Sequence, residues 1–282
     1  MSSPLQSQTA RSPIAGCGIF IAAVAMIVFL VGFSIYALFK QFDAIRQFTE
    51  EKPRQIETTA LIGNEPALGK LRSEMLAFQT ALDGNELASI KLSAADINLL
   101  IAADERFRDL RGTFRVEKIA SDAMHLTISF PLNGKPRFTR DGESGIITSD
   151  MRYLNGTLIA RPGLLKKEIV LKIEQITDTP NKVPEEFIGQ MSPYRISERY
   201  LTDSVIGPVM SKLTRVELSE GAVVFSRKPG ELPADAFSDV QVESASQRLF
   251  IVLGIVATVF LIFVAGMIFW QQRRRASAAK EP

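Results

Sequence analysis

Two stretches of this chain run without charge for longer than a soluble fold ordinarily allows. No Asp, Glu, Lys or Arg occurs in the 26 residues from Ile14 to Phe39, nor in the 22 from Leu249 to Trp270. As helices they would reach roughly 39 Å and 33 Å, against a hydrocarbon core of about 30 Å. A core helix of that length would show a polar stripe, and neither run does. The expectation is a transmembrane helix over 14–39, a second over 249–270, short tails at 1–13 and 271–282, and a folded domain over 40–248.

Charge sets the expected orientation. Residues 40–248 carry 28 Lys and Arg against 30 Asp and Glu, whereas the remainder carries five basic residues and one acidic. A near-neutral middle offers no basic face, so no nucleic acid is expected as a partner. Arg273, Arg274, Arg275 and Lys280 follow the second run and mark the cytoplasmic side; they can also attract anionic membrane lipids. Both termini are then cytoplasmic and residues 40–248 lie outside. Lys40, Arg46, Lys52 and Arg54 oppose this locally, but long domains translocate largely regardless of such charge.

The first run is too long for a signal-peptide core and follows a polar tail, so it reads as an uncleaved anchor. Ile14-Ala15-Gly16-Cys17 has the letters of a lipoprotein cleavage box, yet it opens the apolar run instead of ending it. Cys17 therefore reads as a small apolar residue. It is the only cysteine, so the outer domain forms no disulfide and must be held by its core; a bacterial inner membrane suits this composition. In a eukaryotic lumen Asn155-Gly156-Thr157 would be a glycan acceptor. Gly18 and Ala22, like Gly254 and Thr258, are four apart, a spacing that lets helices approach closely. Tyr36 and Trp270 fall at the expected interfaces.

Residues 40–65 read as a charged stalk, partly helical, and 229–248 as a linker. Between them the hydrophobic period alternates between two types. Leu68, Leu71, Met75, Phe78 and Leu82 predict a helix over 67–82, started by Pro66 and stopped at Asp83-Gly84. A strand over 88–92 leads into Ser93-Ala94-Ala95-Asp96, a capping-box signal for a helix over 94–104 with Ile97, Leu100 and Ile101 on one face. Period-two alternation predicts strands at 113–117 and 124–130, then, after a charged loop at 133–145, at 146–161 and 166–177. Pro184 opens a short helix through Met191. Residues 194–213 read as a helix interrupted by Gly207-Pro208, and 214–218 with 222–226 as a last hairpin. The pattern is α+β: a curved antiparallel sheet packed against helices in an extracytoplasmic domain, flanked by two transmembrane helices.

LSAADINLLIA at 92–102, HLTISFPL at 125–132, RYLNGTLIA at 152–160, KKEIVLKIEQI at 166–176 and VPEEFIGQM at 183–191 resemble the outer domain of YpmS-like bacterial membrane-anchored proteins. The likeness covers about 88–225; the second hydrophobic run is a departure from that family. The resemblance brings no catalytic residues. It implies kinship with tubular lipid-binding domains, which hold acyl chains inside a rolled sheet.

Chemistry is sparse. His125, the sole histidine, lies on a polar strand face, and one histidine without outer cysteines gives no zinc set. Gly142-Glu143-Ser144-Gly145 lacks the spacing and strand-to-helix context of a nucleophile elbow. Asp141, Glu143 and Asp150 cluster in sequence as a weak cation or acid/base candidate. Glu185 and Glu186 suit the first turn of a helix. No catalytic, cofactor or metal residue is assigned. The expected function is a non-catalytic binding module for lipid or another hydrophobic ligand; the alternative is a scaffold or accessory subunit working with other envelope membrane proteins.

Overall fold

The computed structural model describes residues 13–233 and Thr258. The chain divides into two compact units, Phe42–Val242 and one formed by Met1–Gln41 with Glu243–Pro282. Helix α1 (Pro13–Phe48), which has residues in both units, begins with proline at a position where a missing N–H costs nothing. Among the described residues no helix is long and apolar enough to cross a membrane. The side chains of Cys17, Gly18 and Ala22, the second apolar run apart from Thr258, Trp270, most of the linker and the basic tail lie outside the described residues.

The unit Phe42–Val242 is α+β, with antiparallel sheets packed against helices. Its strands form two sheets, where one curved sheet was expected. Strands β2 (Phe114–Ile119), β3 (Met124–Phe138), β4 (Ile147–Leu165) and β5 (Glu168–Thr177) pair consecutively as a four-stranded meander. Strand β1 (Ala88–Ser93) pairs instead with β7 (Ala222–Arg227), which pairs with β6 (Arg215–Ser219). The cause is local. At Ser93 the capping box closes, with the hydroxyl accepting from Asp96 N–H and the Asp96 carboxylate from Ser93 N–H. That ends β1 and turns the chain into α3 (Ala94–Ala103), leaving the late hairpin as β1's partner.

Helix α2 (Glu65–Asp83) starts one residue before Pro66, which sits in its first turn, and stops where expected. Gly84 stays right-handed; the left-handed residue is Asn85, at φ 56°, and Glu86 N–H closes the end on the Ala81 carbonyl. Helix α3 buries more than the one face read from sequence: Ile101 joins the main core, while Leu99 and Leu100 join a smaller one against α2 and β1. Asn98 bonds Val116 on both sides, donating to its carbonyl at 2.7 Å and accepting from its N–H at 2.9 Å, so α3 satisfies the free edge of β2.

Three further expectations are corrected. The segment 133–138, read as loop, continues β3; Gly134 and Pro136 are accommodated at a bulge, where proline is tolerated, and the turn shrinks to 139–146. The chain from 194 to 205 is not helical beyond a single tight turn, Glu198–Tyr200. The free edge of β5 recruits it: Tyr194 exchanges both backbone bonds with Leu171, and Ser197 Oγ accepts from Ile169 N–H and donates to its carbonyl. Gly207-Pro208 does not interrupt a helix but sits in the first turn of α5 (Ile206–Lys212), where N–H groups have no helical acceptor.

The oily face of the meander is the centre of the main core: Leu126, Ile128, Leu154 and Leu158 are completely buried and pack with Leu213, Val216 and Val223 near the other sheet. Residues expected as a stalk dock on the meander: Ile45 and Phe48 join this same core, and Thr49 and Ile56 are also buried. Phe48 packs on Phe187 of α4 (Glu185–Met191) at 4.8 Å, and Glu50 bridges Tyr153. At the centre of this contact Asn155 uses its whole hydrogen-bonding capacity. Its Nδ2 donates to Glu50 Oε2 and the Lys52 carbonyl, both at 2.9 Å; its Oδ1 accepts from Arg54 N–H at 3.1 Å and Ser129 Oγ at 2.8 Å. Fully buried and fully bonded, this amide is closed to a glycan in the folded protein. The charges of 50–54 flank a polar tether that pins the segment to the sheet, which a reading from charge alone takes for a solvated stalk.

Candidate ligand-binding cavity

The two sheets differ in how their oily faces are covered. On the three-stranded sheet, Ile90 and Leu92 of β1 align with Phe225 and Val223 of β7, and these with Val216 and Leu218 of β6. Val216, Leu218 and Val223 pack with the main core, and helix α2 covers part of the rest. Beside Ile90, Leu92 and Phe225 a cavity of about 570 Å³ opens, a size typical of small-molecule sites.

Its walls come from four directions. Helix α2 contributes Leu68, Met75, Leu76 and Phe78; the floor is Ile90, Leu92 and Phe225; α3 adds Leu100; α5 and the residue before it add Val205, Ile206, Val209 and Met210. Leu76 and Val205 are exposed at the mouth. The helical spacing of α2 explains the arrangement, since positions 68, 72, 75, 76 and 79 share one side. That side is broader than the small sheet can cover.

The mouth is polar and organised. Asp104 caps the tight turn Glu105–Leu110 by accepting from Arg106 N–H, and its carboxylate receives the Arg106 guanidinium, with Nε to Oδ1 at 3.0 Å. The hydrogen bonds from Arg106 hold Asp104 below the usual carboxylate range, aided by the more distant charge of Arg72. Arg106 also lies 3.9 Å from Asp203. Asp203 Oδ1 accepts from Val205 and Ile206 N–H at 2.8 Å each, which keeps it ionised and starts α5. Glu105 is paired with Arg111 at 2.8 Å. Arg72, on the α2 side, forms no hydrogen bond or ion pair among the described residues.

The residues singled out from sequence lie elsewhere. His125 sits between Lys118 and Ile159 in the meander, half-buried and remote from any second catalytic group in sequence register. Gly142 to Gly145 form the tip of the β3–β4 hairpin, strand to strand, with positive φ at both glycines. Glu143 and Asp150 are both bound to Arg137, Glu143 through two bonds of 2.7 Å and Asp150 at 2.6 Å, and Asp141 is in neither contact. Arg137 and the Arg140 N–H pull the Glu143 carboxyl down to about 2. These carboxylates are occupied by an arginine, and among the described residues no cluster of His, Cys, Asp and Glu could hold a metal ion. Glu185 and Glu186 open α4 as expected. Nothing local in the sequence marks the cavity residues Arg72, Arg106, Val205 and Val209, nor Asp203 beside them; the one signal is the apolar side of α2.

No protein-family model, curated protein or solved structure matches this chain.

Proposed function

We propose that this protein is a twin-anchored membrane protein whose outer domain is a non-catalytic module that holds a lipid or another hydrophobic ligand. The observation that carries the reading is the apolar cavity between α2, α5 and the three-stranded sheet, with its organised polar mouth. Apolar walls with a few placed polar groups at one side suit an amphiphile better than a polar substrate. The resemblance of 88–225 to YpmS-like proteins, with its implied link to lipid-binding domains, points the same way.

Membrane attachment rests on the two charge-free runs. It is supported by the exposure of Val24, Ile27, Val28, Phe29, Val31 and Phe33 on α1, a helix surface that needs apolar surroundings. The orientation is that of a bacterial inner-membrane protein with both termini cytoplasmic and 40–248 outside. Carbonate-resistant fractionation, with the outer domain open to added protease after the envelope is breached, is the expected result; a carbonate-soluble chain would end the anchored reading.

Ligand holding is tested with the full chain in phosphatidylcholine nanodiscs and a photoreactive long-chain amphiphile. Adducts are expected on peptides containing Met75, Met210 and Phe225, and should fall sharply in Met75→Trp, whose larger side chain obstructs the cavity. Labelling of the apolar runs with none on the cavity walls would refute it.

One observation favours the alternative, a scaffold or accessory subunit for another envelope membrane protein. Phe138, Ile146, Ile147 and Met151 are exposed together around the β3–β4 tip, and Arg137 braces that tip. Crosslinking from position 146 in cells should capture a protein partner on this reading; adducts with lipid alone would count against it.

A further inference from the structure

We propose that the cavity selects an amphiphile with an anionic head, and that Arg72 is the residue that reads the head; this rests on the ligand-holding reading above. Three carboxylates stand at the mouth, and each is already engaged: Asp104 by Arg106, Glu105 by Arg111, and Asp203 by two backbone N–H groups with Arg106 beyond. Arg106 and Arg111 are likewise spent on these partners. Arg111 also donates to the Ile101 carbonyl at 3.0 Å, which fixes it to α3.

Arg72 differs. It lines the cavity between Leu68 and Met75–Leu76 on the same side of α2, so its charge stands where apolar wall meets solvent. Asp104, whose carboxyl feels the charge of Arg72, is already bonded to Arg106. A guanidinium with five donors and no acceptor beside an apolar cavity is matched by a ligand that places a carboxylate or phosphate oxygen at the mouth and its chain inside. The far rim sets three carboxylates against two guanidiniums, with two backbone N–H groups engaging Asp203, so an anionic head is directed to Arg72 and not to that rim. Neutral heads of similar length would gain the chain contacts but not the charge-assisted bond.

The shared chemistry is an anionic oxygen on an apolar chain, whether a fatty-acid carboxylate or a phospholipid phosphate. The test uses the full chain in phosphatidylcholine nanodiscs with two photoreactive probes of equal chain length, one a fatty acid and the other the corresponding alcohol. Unlabelled oleate and lysophosphatidylglycerol serve as separate competitors and distinguish the two sources. Cavity labelling by the acid should exceed that by the alcohol, and Arg72→Gln should cut the acid's apparent affinity about 5- to 10-fold, the size of one charge-assisted bond at a half-open site, while leaving the alcohol unchanged. Arg72→Lys should restore much of the difference. Equal labelling by acid and alcohol, or an Arg72→Gln variant indistinguishable from wild type, overturns the proposal while leaving ligand holding intact. Failure of both probes to label the cavity overturns both.

Discussion

The four-stranded and three-stranded sheets are built from the same alternating pattern, yet one oily face is filled and the other is left partly open. Leu126, Ile128, Leu154 and Leu158 have no exposed surface, whereas the small core of Leu71, Ile90, Leu92 and Leu99 borders a cavity. Close packing is where stability comes from, and a void forgoes contacts that a ligand can supply. On the proposed reading, stability resides in the meander and ligand holding beside the three-stranded sheet.

The sharpest way to break this comparison is to truncate one residue on each side. Leu158→Ala should cost about 3–4 kcal/mol in chemical denaturation, as buried leucines do, while Met75→Ala at the cavity wall should cost under about 1 kcal/mol. Equal losses would mean the cavity wall is ordinary core. Next in size, Asn155→Ala should cost about 2–3 kcal/mol because it removes the acceptor of the buried Ser129 hydroxyl and the donor to the Lys52 carbonyl, and should loosen residues 50–56 in amide exchange. Smaller still, Tyr200→Phe should leave stability within about 0.5 kcal/mol or raise it, since the Tyr200 hydroxyl is buried without a partner among the described residues. A clear loss would point to a bonded hydroxyl.

The smallest effect concerns pH. Glu143 titrates near 2 when folded against an ordinary 4.5, lowered by its bonds from Arg137. Its contribution is therefore complete above about 4.5 and fades as pH falls toward 2. Side-chain NMR of Glu143 should show the hairpin tip loosening in that window, with the cavity residues unaffected.

Much of this fold is legible in the sequence, and the illegible parts share a cause. The helices at 65–83 and 94–103, the capping box, the β6–β7 hairpin and the α4 start depend on local signals and appear where expected. The two-sheet division, the recruitment of Tyr194 and Ser197 to the β5 edge, and the docking of Phe48 and Asn155 depend on partners about 20 to 140 residues away, and no periodicity reports them. The turn Lys166-Lys167 is similar: both residues take positive φ, a geometry that favours Asn-Gly, and lysines gave no hint of it. The cavity was legible only as an apolar side of α2 too wide for its sheet. Its mouth was not, because Arg72, Asp104 and Asp203 become neighbours only in the fold.

The most direct test of the central claim is native mass spectrometry of the full chain released gently from detergent. Ligand holding predicts a species heavier than the bare chain by one amphiphile, and predicts that Met75→Trp, folded by circular dichroism, is seen mostly at its bare mass. Wild-type protein at its bare mass, from membranes extracted without harsh delipidation, would contradict it.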